Sequence, residues 1–400
     1  MPNVNSAVIL WARDNARMTV ADACKRLGIK DSIQESAEDK LAGYENSSKV
    51  PSRSMLKKMS EVYRTPLLAF YLDKPPNQPE RGEDFRSVPN DIKEDNAFLV
   101  DTLIRNIRSV QSTLKQVLIE QDEATPVNLV NSLSMDDEVL KVAKKITSEI
   151  GFDLEAFRKE PDHFRAFKYL RKLAEGAGVF VILKGNLGSY HSDIEVEAFR
   201  GFALADEIVP FVVLNDKDAK SAWSFSILHE LAHLVLGRTG ISGVSNETEI
   251  EIEKFCNEVA SSILIPDLEK IVLEAYDTES IIDEITVYSE KWNVSYSQLA
   301  YRLYLRGDYA IDVWKTLSNK FRDMWLKQRV KEKKKNKESD NGPSPYVLRR
   351  YRLGDALVRT VDGFVRSGAI STTKAGLLLE TKPLKIDKVL ANSFSLEGGA

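Results

Sequence analysis

The run His229-Glu230-Leu231-Ala232-His233 constrains this chain more than any other feature. The chain has four histidines, His163, His191, His229 and His233, and two of them fall in this one pentapeptide. Residues four apart on an α-helix lie one turn apart on the same face. On a helix, His229 and His233 would present two imidazoles to one point, with Glu230 beside it. That arrangement suits one Zn²⁺, and the neighbouring carboxylate suits removal of a proton from water. The flanking Phe225, Ile227, Leu228, Leu231, Leu234, Val235 and Leu236 are apolar, which predicts a buried helix from Ser221 to Gly237. Polar groups in such a helix are costly unless satisfied, either by a metal or by hydrogen bonds within a core.

A catalytic zinc needs a third protein ligand and one open position. Thr248, with Glu251 three residues on, has the form of a capping box. It opens a second predicted helix that runs to about Ile265 and stops at Pro266. Ile252, Cys256, Val259, Ala260 and Ile263 mark the inner face of that helix. Glu253 lies near this face and is the candidate third ligand. Glu249, Glu251 and Glu258 compete with it, and Cys256 is a weaker candidate because a small residue at a core position is commonly packing.

Upstream, residues 178–183 are rich in β-branched and aromatic side chains and predict a strand, and 201–205 and 211–215 predict two more. Residues 1–72 predict short helices, one of them capped by Thr19 and stopped by Gly28, another from Ser52 to Tyr63. Pro75, Pro76 and Pro79 mark a stiff connector. Lys320 to Asn341 is strongly charged and predicts a solvated helix end and linker, followed by helices over 345–390. The expected class is α+β and mostly helical, with a small mixed sheet. The expected division is 1–75, 85–330, a linker at 331–344 and a C-terminal module at 345–400.

Composition removes several alternatives. A net charge of −4 argues against nucleic-acid binding by the chain as a whole. Two cysteines, Cys24 and Cys256, form no disulfide framework. No apolar run approaches the roughly 18–20 residues that span a bilayer, and the first residues lack a signal-peptide core. A cytoplasmic protein without membrane partners is expected.

The segment Phe225-Ser-Ile-Leu-His-Glu-Leu-Ala-His-Leu-Val-Leu-Gly237, followed by Glu253, Cys256-Asn257, Val259-Ala260 and Ile263-Leu-Ile-Pro266, resembles the ImmA/IrrE family of metallopeptidases. Cys256 stands where the family pattern has alanine and Val259 where it has phenylalanine, both apolar replacements. The resemblance implies a zincin-like core holding Zn²⁺, Glu230 as general base, Glu253 as third ligand and Asn257 in support of the site. Arg200-Gly201-Phe202-Ala203 and Pro210 to Asn215 also resemble the family. In such folds a strand near the metal offers its edge to an extended peptide. Phe211, Val212, Val213, Leu214 and Asn215 are the candidate substrate strand, an ordinary core strand being the alternative. Tyr296, Tyr301 and Tyr304 are candidate oxyanion partners, with surface or core packing as the other reading of each.

The N-terminal residues Thr19 to Gly28, Tyr44-Glu45-Asn46, Pro51, Tyr63, Pro66 and Phe70-Tyr-Leu72 resemble an XRE-type helix-turn-helix fused to this family. Its base-reading helix would be Ser36 to Tyr44, which offers mainly Lys40, while Glu35, Glu38 and Asp39 oppose phosphate. Protein docking or dimerisation is the alternative role. The C-terminal Tyr346, Leu353-Gly354, Val358, Val361, Phe364-Val365 and Ser367 to Ile370 resemble the tail of the same long form. Arg349, Arg350, Arg352, Arg359 and Arg366 give that tail a basic character.

The implied function is zinc-dependent cleavage of a regulatory protein, such as a repressor of a mobile element or stress operon, or another neighbouring-gene product. The alternative is an antitoxin or transcriptional regulator of a toxin–antitoxin or phage-defence locus. DNA, a toxin and a second copy of the chain are the further partners these readings admit.

Overall fold

The computed structural model describes residues 4–16, 18–32, 35–63, 65, 70–71, 94–188, 192–241, 247–275, 277–338 and 344–391. They fall into two units, one formed by Met1–Glu83 with Ile92–Leu99, the other by Asp84–Asp91 with Val100–Ala400.

The first unit contains α1 (Ser6–Asn15), α2 (Val20–Leu27), α3 (Ala37–Glu45) and α4 (Arg53–Val62). Asn5, Thr19, Ser36 and Ser52 open them, each side-chain oxygen accepting a first-turn backbone N–H. Gly28 stops α2 in the left-handed conformation at φ 70°, as the sequence predicts. Ile9, Leu27, Leu41, Leu56, Met59, Tyr63 and Phe70 form the core. The proline-rich connector expected at 73–79 lies outside the described residues.

Helix α5 (Glu94–Glu120) belongs to the second unit from Val100 onward. After it come α6 (Val139–Ile150), α7 (Leu154–Lys159) and α8 (His163–Gly176). Strands β1 (Phe180–Leu183), β2 (Gly201–Leu204), β3 (Phe211–Leu214) and β4 (Gly240–Ile241) form one sheet in the order β1-β3-β2-β4. β1 runs parallel to β3, and β2 runs antiparallel to both β3 and β4. The three predicted strands are present and every residue in them is buried. Two-residue β4 is too short to leave a sequence pattern.

The sheet corrects one expectation. β3 is an inner strand, with Val212 registered against Val181 on one side and Ala203 on the other. Phe211, Val212, Val213 and Leu214 have no free edge to offer a peptide, and the core-strand alternative holds. Asn215, 0% exposed, is a structural tie instead. Its amide donates to the carbonyls of Phe199 at 3.1 Å and Ile194 at 3.4 Å, and its Oδ1 accepts from the Lys217 N–H at 3.1 Å. Its own carbonyl accepts from Trp223 Nε1 at 3.1 Å, which fixes the start of the next helix.

That helix, α9 (Lys220–Val235), packs on β2 and β3 and is flanked by α6, α8 and α10 (Glu247–Leu264). Covered by these elements, it is apolar around much of its circumference, with Trp223, Ile227, Leu228, Leu231, Leu234 and Val235 buried beside the polar His229, Glu230 and His233. Pro266 follows α10, as expected. Helices α11 (Thr278–Trp292), α12 (Tyr296–Arg306) and α13 (Ile311–Glu338) come next. α13 continues past the boundary expected at 330, because its Lys, Glu, Arg and Gln are good helix formers and no Gly or Pro interrupts them.

The C-terminal helices α14 (Pro345–Leu353), α15 (Asp355–Arg366), α16 (Thr372–Leu378) and α17 (Ile386–Leu390) belong to the second unit. α14 and α15 both contact β1. The N–H groups of Phe180 and Lys184 point to the β3 side, so Val181 turns its polar groups to the outer edge. Buried Arg171 of α8 donates there to the Val181 carbonyl, and also to the carbonyls of Tyr351 at 2.6 Å and Arg352 at 3.4 Å. Gly354, at φ 86°, lies so close that a Cβ would stand 2.6 Å from the Val181 oxygen and would also meet Glu175 Oε1. Arg352 pairs with Asp216 at 2.7 Å, and Arg350 with Asp355 at 2.9 Å. Much of the expected basic character of this tail is therefore spent internally.

Candidate metal centre

α9 carries His229 and His233 one turn apart, and α10 lays Glu253 across them. His229 Nε2 is 3.2 Å from Glu253 Oε2, and His233 Nε2 is 3.2 Å from Glu253 Oε1. The two Nε2 atoms are 3.1 Å apart. Around a tetrahedral zinc with ligand bonds of about 2.0–2.1 Å, donor atoms stand about 3.3–3.4 Å from one another. The three donors thus have nearly the spacing that one such ion requires. The histidines are 4% and 2% exposed, so the group is closed to bulk water except on the Glu253 side. Among the described residues it is the one cluster of three or more His, Cys, Asp or Glu able to hold a metal.

Burial pushes the Glu253 carboxyl up, but hydrogen bonds from His229 and His233 outweigh it and bring it down to about 2. An ionised carboxylate facing two imidazoles is the donor set of a divalent cation. Glu230, 1% exposed, lies against β2, its Oε1 2.7 Å from where a Cβ on Gly201 would stand.

The competing ligands separate cleanly. Glu251 and Glu258 are exposed, and the side chain of Glu249 lies outside the described residues. Cys256 is 0% exposed, and burial, with Glu253 and Glu230 nearby, pushes its thiol up, so it is packing. Asn257 is exposed one turn beyond Glu253 and makes no hydrogen bond to the three donors.

The tyrosines have partners of their own. Tyr296 donates to Glu290 at 3.4 Å and packs against Phe321. Tyr301 and Tyr304 cluster with Trp314. In the first unit, the Lys40 ammonium donates to the Lys30 carbonyl at 2.7 Å, which holds it against its own fold.

Two residues of this region had a weaker sequence signal. Gly201 is a glycine inside a strand, a sign of close approach. Asp218, just before α9, accepts from the Ala219 N–H at 2.8 Å. Burial pushes its carboxyl up, against the pull of Arg200 at 3.4 Å.

The geometry agrees with one family comparison. Residues 184–304 match the Peptidase_M78 family model, the IrrE N-terminal-like domain. The matched segment contains β2, β3, β4, α9, α10 and all three donors. It supports the ImmA/IrrE family and a metallopeptidase-type activity, in a family that is typically metal-dependent. No curated protein and no solved structure matches the chain significantly. Among the described residues no helix is long and apolar enough to cross a membrane.

Proposed function

We propose that the chain is a zinc-dependent endopeptidase working in the cytoplasm on a regulatory protein, with α9, α10 and the sheet as a zincin-like core. The observation that carries this reading is the convergence of His229, His233 and Glu253 at 3.1–3.2 Å with buried Glu230 alongside. Zn²⁺, when bound, polarises a scissile carbonyl and lowers the pKa of its water to about 7. His229, His233 and Glu253 would hold the ion. Glu230 accepts the proton of the attacking water and returns it to the leaving amine. The apolar walls of α9 keep other water away from these groups, which strengthens each electrostatic contact.

A regulatory substrate is supported by the resemblance of residues 19–72 to helix-turn-helix domains fused to such peptidases. Base reading by α3 finds no support in Lys40, whose ammonium is engaged.

Metal analysis of the purified chain beside His229→Ala/His233→Ala tests the centre, and about one zinc per chain, lost in the variant, is expected. Cleavage is tested on a proteome-derived peptide library read by mass spectrometry. Glu230→Gln should keep the zinc and lose cleavage. Cleavage that survives Glu230→Gln would refute the assigned chemistry.

A further inference from the structure

We infer that Gly201 is a positioning residue: its missing side chain is the seat of the Glu230 carboxylate. The inference rests on the peptidase reading for its consequence, but its physical basis stands apart from it.

Gly201 opens β2, in register with Leu214 of β3. It is buried, and it is absent from the glycines of this chain that adopt positive φ. Its backbone is one that alanine adopts without strain, so no turn or left-handed conformation calls for glycine here. Glycine also costs a strand relative to alanine, because it loses more freedom on folding and packs nothing. The reason for glycine must lie in what a side chain would meet.

A Cβ at this position would stand 2.7 Å from Glu230 Oε1, 3.2 Å from Glu230 Cδ and 3.1 Å from Leu214 Cδ2. The first distance is shorter than any ordinary carbon–oxygen contact, and the other two are tight. Glu230 is 1% exposed, so its carboxylate cannot evade a methyl group by swinging into solvent. Leu214 is 0% exposed and lies on an inner strand, so it does not yield freely either. The recess over Gly201 therefore fixes how far the carboxylate lies from α9 and on which side of His229 and His233 it rests. A proton acceptor must first be in the right place, and displacement by about 1 Å can cost on the order of 100-fold in rate.

The three heavy atoms nearest to such a Cβ belong to Glu230 and Leu214, none of them to His229, His233 or Glu253. Gly201→Ala should leave metal binding intact while moving the carboxylate. A general packing role would treat Gly201→Ala alike whatever stands at 230. A seat for the carboxylate would not.

The test is a double-mutant cycle on the full-length chain as isolated, read by thermal unfolding and by zinc content. Gly201→Ala should lower the melting temperature with Glu230 present. In a Glu230→Ala background, where the carboxylate is gone, Gly201→Ala should leave it unchanged or raise it. Zinc content should stay at the wild-type level throughout. On the peptide library, Gly201→Ala should lower kcat by about 10–100-fold with KM unchanged. Equal melting shifts in both backgrounds, or loss of zinc in Gly201→Ala, would overturn the inference. Coupled melting shifts without any proteolysis by the wild type would keep the seat and remove the peptidase reading, so the two failures are distinguishable.

Discussion

Replacing Arg171 by methionine should unlock the C-terminal helices from the sheet. The Arg171 and Glu175 side chains are 6% and 5% exposed and joined at 3.1 Å. Arg171→Met strands the Glu175 carboxylate in the interior and takes donors from the Val181, Tyr351 and Arg352 carbonyls. Breaking a buried pair from one side costs about 3–5 kcal/mol. With an m-value near 3 kcal/mol/M, the urea midpoint of the second unit should fall by about 1–1.7 M. The loss should depend on pH. Burial pushes the Glu175 carboxyl up, and Arg171 is the main restraint on that rise. A carboxyl raised on folding contributes stability below its unfolded pKa and loses it as pH rises through the folded pKa. Without Arg171 the folded pKa climbs further, so the defect should be larger at pH 7 than at pH 5. Arg171→Met/Glu175→Leu should recover the part of the loss that belongs to the stranded carboxylate, since an apolar pair of similar volume commonly replaces a buried ion pair without penalty, while the part owed to the three carbonyls should remain. Urea unfolding followed by near-ultraviolet circular dichroism measures the wild type and both variants. A defect equal at both pH values and unrelieved by Glu175→Leu would show that the pair does not carry this docking.

Three other outcomes follow from the same contacts. Asn215→Ala should destabilise the second unit by about 2–3 kcal/mol in urea unfolding, through the stranded Phe199 and Ile194 carbonyls, without a specific rise in KM. Asp267 accepts from Arg158 at 2.6 and 2.9 Å, and these bonds hold its carboxyl far below the usual carboxylate range. A carboxyl depressed on folding contributes stability above its unfolded pKa and loses it as pH falls, so the cost of Asp267→Asn, about 1.5–3 kcal/mol, should shrink in urea titrations run from pH 5 towards pH 2. Free zinc at 100 times its dissociation constant should stabilise the wild type by about 2.7 kcal/mol in calorimetry, and His229→Ala/His233→Ala should not respond.

What the sequence disclosed was what repeats or what has one cheap explanation. The apolar run around His229 and His233 could only be a covered helix, and the caps at Thr19, Ser52 and Gly28 act through neighbours in sequence. Glu253 was legible as a candidate ligand because the inner face of α10 could be drawn from Ile252, Cys256 and Val259, and the family resemblance singled it out from its neighbours. Strand order was not legible. Nothing in Phe-Val-Val-Leu says whether one or both edges are paired, so β3 passed for a substrate strand until β1 and β2 closed on it. Asn215 looked like the polar end of such a strand because its partners, Ile194 and Phe199, lie in an irregular loop. Lys40 was a candidate base reader by type alone, and its bond to Lys30 depends on the turn between α2 and α3. The internal spending of arginines 350 and 352 required the fold of the tail against β1.

The contact between Gly354 and the outer carbonyl of β1 bears on how this protein could be divided. A strand edge left bare is a template for the next molecule, and short buried β1 would be an adhesive one. Here the chain seals that edge with its own C-terminal helices, pinned by Arg171. The segment that matches the metallopeptidase family begins at Lys184 and ends at Tyr304, and so contains neither β1 nor its seal. Cut out at those limits, it would bare β3; cut to include β1 without the tail, it would bare β1. In either case the fragment is expected to assemble edge to edge and precipitate, which the full-length chain, with that edge covered, should resist.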